Sequence, residues 1–430
     1  MNGDLIAVTG FVALFAMMIL RVPIGIAMGL VGVGGFAAVT GWGPALNLLA
    51  QSPFRTVTDF NLTLIPFFVL MGVLATNSGM SRELFRAGRN WFGFMKGGMA
   101  ISTIGACAGF AAICGSSVAT AATMTKIALP EMKRAGYPDE VSSGVVAAGG
   151  TLGILIPPSV VLAVYGYITE QDVGVLFIAG IVPGILAILM YMAAVRIAYG
   201  SRLPAGEPFR LGEAIRSLSG VWAVLLLFAL IIGSIYFGVT TATEAAAVGS
   251  FLTALIGMLR GRLTPRLLLE SLVEALRTSV AIYTILIGAI LFGYFLAITQ
   301  SPQKITAGLV ALDLGAYGTL ALILVFFVLM GCILDAMAMI ILLVPIVYPI
   351  VTQLGFDPIW FGVIIVMTVE LGLITPPVGM NVFVINSIAR DIALTRIFKG
   401  VLPFVFADIL RLILLVVVPA LVLWLPETMR

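Results

Sequence analysis

Two proline pairs mark where this chain could do chemistry. Residues Gly153–Pro158 read GILIPP and Gly372–Pro377 read GLITPP, each inside an apolar stretch long enough to cross a bilayer. Proline has no amide N–H. Pro157 and Pro158 therefore cannot donate to the carbonyls of Gly153 and Ile154, nor Pro376 and Pro377 to those of Gly372 and Leu373. Carbonyls freed at membrane depth are tolerated only where protein or a polar cavity satisfies them, and broken helices of this kind hold ions and substrates. The matching breaks predict one shared cation- and substrate-binding centre.

Each break has a segment that could face it. CGSSVAT (Cys114–Thr120) is small and hydroxylated, and GCILDAMA (Gly331–Ala338) carries Asp335 as its only charge. Neutral carbonyls and hydroxyls suit a hard monovalent cation. Ser116, Ser117 and the carbonyl of Gly153 form one candidate sodium set, and Gly331, Asp335, Gly372 and Thr375 a second. Two half-helices meeting at CGSSVAT would bring a helix N-terminus, with free N–H donors, to the bilayer centre, where it could bind a carboxylate without a buried arginine. The candidate substrate neighbourhood is Gly115, Ser117 and Thr120 with Pro157, Thr375, Pro376 and Asn381. The plainer reading of the glycines and serines is close helix packing. Glu244 and Glu370 are functional candidates by their depth, although Glu244 stands near a span end beside Thr241 and Thr243 and could cap it. Asp408 and Arg411, three apart in the final span, are placed to neutralise each other.

Composition removes many other readings. With 61% hydrophobic and 10% charged residues and a mean hydropathy of +1.17, most of the chain must be embedded in a bilayer. There is no histidine, which removes histidine metal sites, Ser-His catalysis and histidine proton relays. Neither HExxH nor GxSxG occurs, so the chain reads as no enzyme. Without a GxxxxGK[ST] loop it cannot drive transport by its own nucleotide hydrolysis, and no cofactor is expected beyond sodium as coupling ion. The three cysteines lie in apolar segments, arguing against a disulfide framework. The net charge of +3 comes from basic residues clustered in loops, without the pattern of a nucleic-acid surface.

The positioning elements follow from hydropathy. The stretch between Lys96 and Glu131 is too long for one crossing of a core about 30 Å thick and must fold back as a re-entrant hairpin. Arg86, Arg89, Lys96, Lys133 and Arg134 flank it, which places both ends on the cytoplasmic side. A second hairpin is expected over 314–354, whose flanks are poor in basic residues and which therefore enters from outside. Pro130 and Pro349, Gly136 and Gly355, and Gly153 and Gly372 are each 219 positions apart. Two repeats of opposite direction follow, an arrangement that gives secondary transporters a midplane site.

The expected fold is an all-α polytopic membrane protein. Residues 1–96 supply scaffold helices and an interfacial arm, and 97–200 the first repeat, with hairpin 97–130, broken helix 139–167 and helix 173–195. Residues 201–300 supply central scaffold helices, and 301–430 the second repeat, with hairpin 314–354, broken helix 358–386 and last helix 401–425. Amphipathic segments at 46–58, 81–91 and 263–277 read as interfacial helices. Asp4 in place of a basic leader makes Leu5–Leu20 a first span starting outside rather than a cleaved signal, and the C-terminus is expected outside as well.

FAAICGSSVATAA, LPEMKRAGYP, GTLGILIPPS, LFIAGIVPGIL, TATEAAAVG, GCILDAMA and ELGLITPPVGMNVFV, spread over Phe110–Val384, together resemble the large membrane subunit of TRAP transporters, the DctM-like family. The resemblance implies an elevator-type, sodium-driven importer of carboxylate-bearing solutes such as C4-dicarboxylates in a bacterial inner membrane. It also implies a small four-helix DctQ-like membrane subunit and a DctP-like periplasmic solute-binding protein. Ala242 stands where the family usually has a proline, a local change at a span entrance. A stand-alone sodium/carboxylate symporter of similar architecture is the alternative.

Overall fold

A computed structural model describes residues 3–310 and 312–429, and among them there are helices but no strands. The leading helices are α1 (Gly3–Ile19), α2 (Ile24–Thr40), α3 (Trp42–Thr58), α4 (Leu64–Asn77) and α5 (Met80–Phe92). A hairpin of α6 (Gly98–Cys114) and α7 (Ser117–Arg134) precedes α8 (Asp139–Leu155), α9 (Val160–Thr169) and α10 (Val173–Tyr199). The middle contains α11 (Leu211–Tyr236), α12 (Ala242–Leu259), α13 (Pro265–Ile298) and α14 (Ser301–Val310). A second hairpin, α15 (Gly315–Gly331) and α16 (Ala336–Gln353), leads to α17 (Pro358–Gly372), α18 (Met380–Ile388), α19 (Leu394–Val417) and α20 (Ala420–Glu427). Among the described residues, eight helical stretches are long and apolar enough to cross a membrane.

Local sequence sets where these helices begin. Ser116, Ser159, Asp172, Thr264, Asp335 and Asp357 each precede a helix, and their side-chain oxygens accept N–H bonds from its first turn. At α12 the cap is reciprocal: Thr241 N–H donates to Glu244 Oε2 at 2.8 Å and Glu244 N–H to Thr241 Oγ1 at 3.3 Å. Glu244 is thus engaged as a helix cap.

The two broken helices run in opposite directions, as side-chain contacts at their ends demonstrate. At one end the start of α8 meets the start of α19, with Arg396 Nη1 3.3 Å from Asp139 Oδ2. The turn after α18 lies there too, Lys133 Nζ reaching Asp391 Oδ2 at 2.5 Å. At the other end Tyr165 of α9 donates to the carbonyl of Pro358, the first residue of α17, at 2.7 Å. The hairpin bases follow suit. Lys133 at the first base lies at the Asp139 end, whereas Tyr348 near the second base accepts from Gln171 Nε2 at 3.0 Å beyond α9. The α8–α9 unit is the interior of the molecule, its most apolar window wholly buried. The outward faces of α11, α13 and α19 carry exposed Leu225, Leu276 and Phe406, as helices facing lipid do.

Three elements differ from their sequence expectation. The segment 263–277 is not a separate interfacial helix: from Pro265 on it is the first part of the 34-residue α13, since no glycine or proline falls between Pro265 and Gly288, across the junction of the amphipathic and apolar parts. At about 1.5 Å per residue it spans about 51 Å, longer than the hydrocarbon core. The last helix starts at Leu394 and stops at Val417 ahead of Pro419, so 401–425 covers parts of two helices. A short helix, α14, bridges into the second hairpin, where Lys304 pairs with Asp4.

Candidate functional site

In the first repeat, the hairpin tip is pressed backbone to backbone onto the helix break. Gly115 ends α6 in the left-handed region at φ 62°, where a side chain would be strained, and a Cβ there would lie 2.8 Å from the Pro158 carbonyl oxygen. A Cβ on Gly153 would lie 2.6 Å from the Ser116 carbonyl oxygen and 3.0 Å from the Ser117 nitrogen. Only glycine permits this approach. Ser116 caps α7, its Oγ accepting from Ala119 N–H at 3.4 Å, and Thr120 Oγ1 donates to the Ser116 carbonyl at 2.8 Å. Gly115, Ser116, Ser117 and Gly153 are therefore brought together, with Pro157 one residue from the contact and Thr120 one turn behind it.

The break itself is half satisfied. Ser159 Oγ donates to the Ile154 carbonyl at 2.5 Å while accepting from Leu162 N–H at 3.3 Å. One of the two carbonyls expected to be free is thus occupied by a serine just past the prolines. Pro157 leaves the other, Gly153 O, without its i+4 donor, and it stands beside the tip. The Pro157–Pro158 bond is cis, as is Pro376–Pro377.

The second repeat places its copy similarly but with different polar groups. A Cβ on Gly372 would lie 2.7 Å from Gly331 Cα, so the second tip also rests on its break through two glycines. Thr375 Oγ1 donates to the Leu371 carbonyl at 2.6 Å, which keeps its lone pairs available as acceptors. Asn381 N–H donates to the Leu373 carbonyl at 3.1 Å and Thr375 N–H to the Gly372 carbonyl at 3.3 Å. Neither carbonyl expected to be free in this break therefore lacks a donor: the turn over the prolines supplies what the helix no longer does. Asp335 caps α16, Oδ1 accepting from Ala338 N–H at 2.6 Å, so half of its carboxylate serves its own helix. Pro157 is buried whereas Pro376 is exposed, and the two breaks differ in access as well as in side chains.

Asn381 joins the repeats: its Nδ2 donates to the Ala147 carbonyl of α8 at 3.3 Å, and its Oδ1 is buried with no hydrogen-bond partner among the described residues. Among the described residues no group of three or more His, Cys, Asp and Glu gathers as a metal centre. The oxygens at the tips and breaks are hydroxyls, carbonyls and the one carboxylate of Asp335, a set for a hard, weakly charged cation. Sequence reasoning missed one arrangement. Glu370 is buried and bonded to Arg411, Nη2 to Oε2 2.7 Å, and Arg411 also reaches Asp408 Oδ1 at 2.8 Å. The Asp408–Arg411 pair expected from spacing exists, but α17 adds a second carboxylate to it. The signal was the 219-residue offset, which aligns Glu370 with Thr151 of the first break.

Paired hairpins resting on oppositely directed broken helices, inside a shell of long apolar helices, define a polytopic membrane transporter. Residues 11–421 match the family model described as "Tripartite ATP-independent periplasmic transporter, DctM component", and the chain belongs to that family. It is 38% identical over 403 residues to the C4-dicarboxylate TRAP transporter large permease protein DctM of Pseudomonas aeruginosa, covering 92% of this chain and 93% of that one. It is 35% identical over 416 residues to the isethionate TRAP transporter permease protein DctMQ of Oleidesulfovibrio alaskensis, covering 96% of this chain and 65% of that longer protein. In fold it resembles the crystal structure of the Alcanivorax borkumensis YdaH transporter, with a TM-score of 0.65 over 90% of each chain at 15% identity. Relatives at this level are transporter permeases, not enzymes.

Proposed function

We propose that this chain is the large permease subunit of a sodium-driven importer of small organic anions. The two hairpin-plus-broken-helix units form a transport domain that moves, elevator-fashion, against a scaffold of the remaining helices. One observation carries the reading: both hairpin tips are seated through glycines on helix breaks, where hydroxyl, carbonyl and carboxylate oxygens gather. That is a geometry for binding small ions and a small solute within a membrane, not for anchoring alone. The relatives named for a C4-dicarboxylate and for isethionate support an organic anion, with the substrate narrowed by a periplasmic solute-binding protein. The DctMQ relative, longer than this chain, supports a separate small membrane subunit as partner here. The proposed location is the bacterial inner membrane, with both termini periplasmic and the arginine-rich hairpin base cytoplasmic.

The experiment is uptake into proteoliposomes holding this chain with its small subunit and binding protein. An inward sodium gradient should drive accumulation that collapses when the gradient is dissipated. Accumulation indifferent to sodium would reject the coupling, and full uptake by this chain alone would mark a stand-alone symporter.

A further inference from the structure

Behind the two breaks lies a buried polar network built from both repeats. Thr151 stands two residues before Gly153, and Glu370, 219 positions on, stands two before Gly372. Tyr191 of α10 and Arg411 of α19 are likewise equivalent, 220 apart, as are Pro183 and Pro403 of the same helices. The same contact occurs once in each repeat: Thr151 Oγ1 lies 3.1 Å from Tyr191 OH, and Glu370 Oε2 lies 2.7 Å from Arg411 Nη2. Asp408 ties the copies together, accepting from Tyr191 OH at 2.8 Å through Oδ2 and pairing with Arg411 through Oδ1. The Arg411 guanidinium also lies 5.7 Å from the centre of the Tyr191 ring, and Phe404 meets that ring edge-on.

Stability does not explain this network. Glu370, Asp408 and Arg411 are at most 2% exposed, yet Glu370 Oε1 and the Nε and Nη1 of Arg411 have no hydrogen-bond partner among the described residues. Burying charges with incomplete partners is expensive, and well-packed apolar side chains in such places are often no less stabilising. What the network does supply is a short mechanical link. A shift at Gly153 moves Thr151 on the same helix, and through Tyr191, Asp408 and Arg411 it meets Glu370, which is fixed two residues from Gly372. Coupling between sites needs such a contiguous path with few alternative arrangements.

We propose that Tyr191 and Arg411 are positioning residues that couple the two half-sites, so that a cation at one break raises affinity at the other. This rests on the sodium reading above. The test is the sodium activation curve of the reconstituted complex for wild type, Tyr191→Phe, and Phe404→Leu as a variant that loosens packing without removing a polar group. Wild type should be cooperative. Tyr191→Phe should bring the Hill coefficient toward unity and raise the half-activating sodium concentration about fivefold or more, while Phe404→Leu keeps its cooperativity. If Tyr191→Phe does not fold, Arg411→Lys, which keeps the charge but loses the fork, should give the same shift. A Tyr191→Phe curve that matches wild type overturns the proposal, as does equal loss of uptake in all variants with cooperativity intact. Absence of sodium activation in wild type itself would defeat the underlying sodium reading, and is seen before any variant is compared.

Discussion

At the residue scale, the site depends on glycines that let backbone meet backbone. Gly153→Ala would drive a methyl group to 2.6 Å from the Ser116 carbonyl oxygen. The expected cost is about 1–3 kcal/mol of overpacking, with loss of uptake because the tip is displaced from the break. Gly233→Ala in α11, where a Cβ meets nothing within 4 Å, should be neutral. Thermal unfolding of the two variants in detergent, beside uptake, checks this; equal stability and activity would remove the tip contact from the account. The glycines, hydroxyls and proline pairs were legible in the sequence because proline's missing donor and glycine's missing side chain are properties of the residue alone. The partners of those groups were not. Ser159 answering Ile154 depends on how the chain turns over the prolines, and Arg411 answering Glu370 on which helices lie side by side.

At the element scale, the ends of the first hairpin, α8 and α19 are tied by partly exposed ion pairs around Lys133, Asp139, Asp391 and Arg396. Lys133 donates to Asp391 and holds its carboxyl below the ordinary range, with the residue's own N–H contributing. A carboxylate whose folded value is depressed stabilises the fold above its unfolded value of about 3.9, and this is lost as pH falls through the lower folded value. Asp391→Asn should therefore lower the unfolding temperature slightly at neutral pH, with the difference shrinking as pH falls below about 4 and gone once it is below the depressed folded value. A difference unchanged by acidification would show that the ion pair is not its source. The elements themselves were largely readable. Hydropathy and the 219-residue offset locate both hairpins and both breaks, and α8 to α9 and α17 to α18 interrupt at the proline pairs. The run from Pro265 to Ile298 was not readable as one helix, because amphipathic and apolar halves look alike whether the helix bends between them or continues.

At the scale of the whole molecule, inverted repeats create two similar but unequal half-sites inside a shell of lipid-facing helices. Movement of the proposed transport domain against the scaffold should strain any bridge between them. Asp59, before α4, accepts from Tyr167 OH of α9 at 3.2 Å. Cysteines placed at both positions and joined by a short, cleavable bifunctional reagent should stop uptake, and cleavage should restore it. The native cysteines Cys107, Cys114 and Cys332 are buried. Uptake that continues with the bridge in place would mean these two segments do not move apart. The central claim is that each tip and break holds a cation with its own set of oxygens: Ser116, Ser117 and Gly153 in one, Gly331, Asp335, Gly372 and Thr375 in the other. The most direct measurement is equilibrium binding of radioactive sodium to the purified protein, as wild type and with Ser117→Ala, Thr375→Val or both. The account predicts saturable binding at two sites of unequal affinity, with each single substitution weakening a different one and the double variant weakening both. Binding that is absent in wild type, or identical in all four proteins, would contradict it.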